Sequence, residues 1–278
     1  MIIDFHTHTY PDRIAAETVE KLKGVAGVAA HGDGPASGLS ASTEEAGIDY
    51  ALVLPIATNP HQVATINEVA YETNLSANRK RLLSFGAIHP DSPDPKKVLR
   101  GIASLGIRGI KLHPDYQGVF FSDIRYKRIV EFATDLGLYT VVHAGIDIGL
   151  PDPVHTRPSD ILEMIRDTGT DKLILAHMGG WRMWDEAVDL LAGEDVMIDT
   201  SFSTTAVKVE GMLDEERFVE IVRAFGAEKV LFGTDSPWAS QKKSLKWIMN
   251  APLRKDEKEM ILGENAVKIL KLTKDRKR

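Results

Sequence analysis

The chain has 278 residues, 43% hydrophobic and 27% charged, which supplies a large core and suits the roughly 250 residues of a single (β/α) barrel. Its formal net charge of −6 argues against the concentrated basic surface that nucleic acid requires, and the short basic run at 270–278 reads as a solvated tail. There is no cysteine, so disulfides, thiolate ligands and a cysteine nucleophile are excluded, and any metal must be held by nitrogen and oxygen.

The chain opens with a carboxylate at position 4 in place of a basic leader, and no apolar stretch approaches about 18 residues. Neither a signal peptide nor a membrane span is expected, and the reading is a soluble, cytoplasmic protein. Short runs rich in β-branched and aliphatic residues then recur at 1–5, 50–56, 82–88, 107–112, 138–142, 172–176, 195–199 and 229–233. Between them lie segments with apolar residues at three- and four-residue intervals, such as 64–81, 122–137 and 214–226. Gly137 and Gly226 stand where helix C-caps belong. Eight strands alternating with helices predict a parallel sheet closed into a single-domain (β/α)8 TIM barrel over 1–278; an open doubly wound sheet is disfavoured because no glycine-rich phosphate loop follows the first strand.

Two connections stand out. The Gly-, Ser- and Ala-rich stretch 29–42 reads as a mobile surface loop, with a lid over the barrel mouth as the functional alternative. The stretch 144–160 is a second long loop, with Ser159 as the expected N-cap of the helix after it.

Residues two apart on a strand face the same way, so His6 and His8 project together and can share one ion. Alone the pair carries little. His143 directly follows the fifth strand, however, His177 directly follows the sixth, and Asp235 comes two residues after the eighth. In a barrel these ends surround one mouth, where active sites of this fold are built. Five such groups converging without a partner would cost several kcal/mol of desolvation, so a divalent ion is expected: zinc first, with manganese or iron(II) also suited to imidazole and carboxylate.

The segments "DFHTH", "GIKLHP", "VVHAG", "LAHMGG", "LFGTDSPW" and "ILGENAVKILKL", in this order along essentially the whole chain, resemble the amidohydrolase superfamily, specifically the amidohydrolase-2 branch that includes aminocarboxymuconate semialdehyde decarboxylase. The resemblance implies a metal held by His6, His8, His143 and Asp235, with His177 beside it as a catalytic group and a metal-activated water as the reacting species. Asp235 could then accept a proton and later deliver it, and His177 could polarise a substrate carbonyl, hold the water or serve as a further ligand. Lys111 is carboxylated and bridges two metals in other branches; here the pattern resembles the branches with one ion, two being expected only if Lys111 is modified.

His113, on the same strand parity as Lys111, reads as a substrate contact or a loop anchor before Pro114, and His89 as a substrate contact or a structural hydrogen-bonding group. His31, His61 and His155 are expected to be solvated. Past His177, Trp181 could wall the substrate and Arg182 could grip its carboxylate, while Trp184 reads as helix-start packing. Trp238 is a further candidate wall, Arg157 a further candidate carboxylate partner, and Asp199 a support behind the metal ligands.

The leading functional expectation is a metal-dependent hydrolase of an amide, ester or lactone bond in a small molecule. The alternative is a non-oxidative, metal-dependent decarboxylase of a carboxylated ring or dienoic acid. A metal-binding scaffold without catalysis is disfavoured by the intact ligand set, and a TatD-like phosphodiesterase by the lack of an acidic bridging ligand and a basic surface. The expected partner is a small molecule, with neither nucleic acid nor membrane. Related barrels often pair, so a homodimer is admitted.

Overall fold

A computed structural model describes residues 1–273, and the part of the basic tail beyond them lies outside the described residues. The strands are β1 (Ile3–Thr7), β2 (Tyr50–Val53), β3 (Leu82–Ser84), β4 (Gly86–Ala87), β5 (Gly109–Leu112), β6 (Tyr139–Val142), β7 (Leu173–Leu175), β8 (Met197–Asp199) and β9 (Val230–Leu231). β3 and β4 are halves of one stave, interrupted at Phe85, whose N–H still donates to Val53 O at 3.1 Å. Every neighbouring pair is parallel, in the order β1-β2-β3 and β4-β5-β6-β7-β8-β9. The ring closes beyond β9, where Phe5 N donates to Phe232 O (2.7 Å), Asp235 N to His6 O (2.8 Å) and His8 N to Ser236 O (2.7 Å). The eight expected staves are therefore all present, as a (β/α)8 TIM barrel.

Periodicity and caps explain the helices outside. Ile124–Asp135 buries Tyr126, Ile129, Val130 and Ala133, and Glu215–Phe225 buries Phe218, Ile221, Val222 and Phe225, one stripe each toward the sheet. Asp94, Asp123 and Asp214 accept the first free N–H groups of their helices. Gly137 and Gly226 take positive φ just past helix ends, as expected. Ser159 does not cap: Arg157 is the N-cap and Pro158 opens the helix, because Pro at the first position fixes the entry one residue earlier.

Inside the barrel, Phe5, Leu52, Phe85, Val141, Ile174 and Leu231, contributed by six different staves, meet in one buried cluster. Cα register then sets which residues lie above them. Lys111 pairs with Val141, Val141 with Ile174, and Asp199 with Leu231, so Lys111 and Asp199 share the inward parity of these core residues. His113 and His143 follow two residues later on the same faces, toward the C-terminal mouth.

The 29–42 stretch differs from the expected loop. Residues 36–42 belong to the helix Ala36–Glu45, anchored by buried Leu39 and Thr43. The remainder lies across the mouth: His31 N donates to Pro237 O (2.6 Å), Tyr10 N donates to Gly34 O (2.9 Å), and residues 32–35 border a small cleft with His8 and Ser236. Among the described residues, no helix is long and apolar enough to cross a membrane.

Candidate metal centre

β1 delivers the first donors. His6 Nε2, His8 Nε2 and Asp235 Oδ1 stand 3.2, 3.0 and 3.6 Å apart (His6–His8, His8–Asp235 and His6–Asp235), and all three residues are largely buried. Their hydrogen bonds decide what they offer. His8 Nδ1 faces Leu54 O at 2.9 Å, and a carbonyl only accepts, so Nδ1 carries the proton. His6 Nδ1 donates to Asp199 Oδ2 at 2.7 Å. Both Nε2 atoms therefore present lone pairs to each other and to a carboxylate oxygen. The Lys111 ammonium, 3.5 Å from His6 Nε2, meets only one of these three acceptors, and in a buried site the three repel one another unless a cation lies among them. Their spacing suits the edges of a coordination shell with bonds of about 2.1 Å, so these residues fit a divalent ion.

Asp199 accepts from His6 Nδ1, from the N–H of His177 (3.1 Å) and of Ser201 (3.0 Å), and from the Ser201 hydroxyl. It thereby braces His6 and His177 from behind. Burial alone would raise the Asp199 and Asp235 carboxyls, but the imidazoles beside them outweigh it and hold both below the usual carboxylate range. Burial, reinforced by Lys111, pushes His6 down to about 4, so its ring is neutral at ordinary pH. His177 and Asp235 hold positive φ angles of 60° and 69°, uncommon for residues with a side chain and recurrent where a site fixes its geometry.

His177 Nδ1 donates to Ser201 O at 3.0 Å, which turns its Nε2 lone pair inward, 3.0 Å from His143 Nδ1. His143 thus reaches the triad by way of His177, while its Nε2 points the other way, toward Asp115 and Asp147. A second donor group of His113, His143 and Asp147 lies there, apart from that of His6, His8 and Asp235. Lys111 is 1% exposed, with Nζ 3.5 Å from His6 Nε2. Burial lowers its ammonium to about 8, with Asp199 and Asp235 opposing the fall.

His113 plays the anchoring part: it caps the turn Pro114–Gln117, stacks on Tyr116 (4.1 Å between ring centroids), and has Nε2 3.6 Å from Asp147 Oδ2. His89 Nδ1 accepts from Asp91 N at 3.1 Å. Arg182 does not face the centre. Its guanidinium lies over the Trp181 ring, 4.4 Å from the ring centroid, and donates to Glu210 O at 2.7 Å. Trp181 is buried among loop residues with its indole donating to Phe202 O, and Trp238 packs against the same cluster. Trp184 opens its helix and donates to His177 O, consistent with packing. Arg157 is exposed at a helix cap, and His31 and His61 are exposed as expected. His155 is not solvated: its side chain is 14% exposed and bound to Asp115 at 3.0 Å, because the long loop folds back over the mouth.

Sequence reasoning passed over Asp115, Asp147, Ser201, Tyr10 and Tyr116. The phenols of Tyr10 and Tyr116 are pushed above their usual range by burial and by nearby carboxylates, Asp235 among them. The available signals were Asp115 two residues beyond His113 and Asp147 four beyond His143.

The sequence matches the family described as amidohydrolase over residues 3–272. No curated protein matches by sequence. Solved structures similar to the chain include 5-carboxyvanillate decarboxylase from Sphingomonas paucimobilis (17% identity, 98% of this chain and 99% of that one, TM-score 0.67). A second is a dihydroxybenzoic acid decarboxylase from Polaromonas sp. JS666 with bound manganese and the inhibitor 2-nitroresorcinol (14%, 97% and 96%, TM-score 0.69). A third is a Pseudomonas putida protein provisionally described as a 2-pyrone-4,6-dicarboxylic acid hydrolase (15%, 97% of each, TM-score 0.65).

Proposed function

The chain belongs to the amidohydrolase family, and on that premise we propose that it is a metal-dependent, non-oxidative decarboxylase of a small carboxylated ring or dienoic acid. The observation that carries the reading is the acceptor triad with the Lys111 ammonium beside it, 3.5 Å from His6 Nε2. An ion at the triad and this lysine put two positive charges side by side, which receives an anionic substrate group without an arginine. The reactions of the 5-carboxyvanillate and dihydroxybenzoic acid enzymes support decarboxylation over hydrolysis and so reverse the order of the two expectations drawn from the sequence.

His6, His8 and Asp235 would hold the ion, and His143 Nδ1 would be the fourth donor. The nitrogen-rich set suits zinc, and manganese, the ion of the Polaromonas enzyme, is equally admissible. When bound, the ion supplies Lewis acidity toward a substrate oxygen. In the reaction the carbon bearing the carboxylate gains a proton, the bond to the carboxylate breaks, its electron pair returns to the carbon framework, and carbon dioxide leaves. Asp235, ionised at rest because the imidazoles beside it hold its carboxyl low, would take a proton from water and pass it to that carbon. His177, with Nδ1 bound to Ser201 O, keeps Nε2 aimed at the reacting region and accepts or returns a proton there. The 29–35 segment over the mouth excludes water, which would otherwise weaken these interactions.

The second reading is hydrolysis of a lactone or amide, favoured by the likeness to the Pseudomonas putida protein. A panel of hydroxylated aromatic acids, dienoic acids, lactones and N-acyl compounds, scored separately for carbon dioxide and for newly formed carboxylate, tests the choice. Metal-dependent carbon dioxide release is expected. Turnover confined to lactones or N-acyl compounds would replace the decarboxylase with the hydrolase.

A further inference from the structure

His143 Nε2 and Asp115 Oδ2 are both buried, both without a hydrogen-bond partner, and 4.0 Å from each other. Asp147 Oδ2 is also 4.0 Å from His143 Nε2. Neither carboxylate is free to turn away. Asp115 Oδ1 accepts from His155 Nδ1 (3.0 Å) and His155 N (3.3 Å), and Asp147 Oδ1 accepts from Gly149 N and Leu150 N, both at 2.8 Å. The His143 ring plane is held by stacking on His113, at 4.2 Å between centroids and 15° between planes.

A neutral imidazole carries one proton, and its position decides what His143 can do. A proton on Nδ1 would donate to His177 Nε2 at 3.0 Å but would leave the Nε2 lone pair facing two buried carboxylates, an arrangement made costly by the low local dielectric. A proton on Nε2 points toward both carboxylates at the cost of setting the Nδ1 lone pair against that of His177 Nε2, 3.0 Å away, and the attraction of two carboxylate charges outweighs that one neutral hydrogen bond. We propose that Asp115 and Asp147, with His155 bracing Asp115, are positioning residues that hold His143 in the Nε2–H form and so reserve Nδ1 for the metal. The inference rests on the metal-dependent reading above. It assigns the outer polar group a role in building the centre, in place of a second ion.

The replacement D115N is informative because His155 keeps the amide oxygen, which turns the Asn N–H groups toward His143 Nε2 and favours the opposite ring form. Nitrogen-15 NMR of histidine-labelled, metal-free protein at pH 8, with His143 assigned through H143N, reads the tautomer directly. Titration of the same samples with manganese and with zinc reads affinity. The wild type should show Nε2–H at His143 and bind one equivalent. D115N/D147N should move the proton to Nδ1 and weaken binding about 10- to 100-fold, with the single variants D115N and D147N intermediate if the double variant does not fold. An Nδ1–H ring in the wild type, or an unchanged tautomer and affinity in the variants, overturns the proposal, as does a second equivalent of metal lost on D147N. A wild type with the Nε2–H ring that binds neither metal supports the tautomer assignment and overturns the metal-dependent reading, so the two failures are distinguishable.

Discussion

His6, His8 and Asp235 stand on staves that the closing hydrogen bonds of the barrel lock together, whereas Asp115, Asp147 and His155 come from the loops that follow β5 and β6. In the inner group every imidazole has its far nitrogen committed, His6 to Asp199 and His8 to Leu54 O, so the near nitrogens can act only as acceptors. In the outer group, partners and lone pairs are left facing each other across 4.0 Å. The difference separates two tasks. Strand ends supply donors whose direction the backbone fixes, and loops supply charge that tunes one ring from the side. His143 stands between the two groups, with Nε2 toward Asp115 and Asp147 and Nδ1 3.0 Å from His177 Nε2.

Removing a member of the inner group should have the largest effect. Asp235→Ala takes away both a metal donor and the proton carrier, and turnover should fall by about 100- to 10,000-fold with loss of bound metal, read by steady-state kinetics and metal analysis. Near-normal turnover in this variant would mean that the inner group is not the reacting centre. Asp199→Asn acts one step behind: His6 loses its charged acceptor, and metal affinity should fall about 10- to 100-fold while the protein stays folded.

The inner histidines also predict a pH response of the metal-free protein. His6 is held at about 4, below its ordinary 6.5. As pH falls from about 6.5 toward 4, the unfolded chain gains a proton at this position that the folded chain refuses, so stability declines through that window. Asp4, lifted to about 7 by burial, works in the opposite sense at overlapping pH, so the wild-type curve alone is a sum of both. The informative quantity is a difference: with chelator present, His6→Asn should lose less thermal stability than the wild type between pH 6.5 and 4.

The smallest effect is expected outside both groups. Arg182→Ala breaks the stack on Trp181 and the bond to Glu210 O, costing about 1 kcal/mol of stability. Its kcat/KM should stay within about threefold of the wild type. A rise in KM confined to carboxylated substrates would restore Arg182 as a substrate grip.

Much of the inner group was legible before the fold was known, because strand alternation and chain position suffice to bring His6, His8, His143, His177 and Asp235 to one mouth. The barrel was legible for the same reason, from eight short apolar runs at barrel spacing. What stayed hidden depends on loop paths that no period encodes. His155 looks like any loop histidine until the 144–160 segment folds back and delivers it to Asp115. Arg182 follows His177 closely in sequence, yet its positive φ of 58° and the Glu210 carbonyl turn it toward the surface. The 29–42 stretch contains Gly, Ser and Ala in proportions that suit a loop, but Leu39 and Thr43 at helical spacing are buried enough to hold Ala36–Glu45 as a helix.

The central claim is that three acceptor atoms of His6, His8 and Asp235, 3.0–3.6 Å apart, are arranged for one divalent ion. Calorimetric titration of chelator-treated protein with manganese or zinc tests it most directly. The account predicts one equivalent bound in the wild type and none at that site in His6→Asn. Full activity in protein that binds neither ion would contradict it.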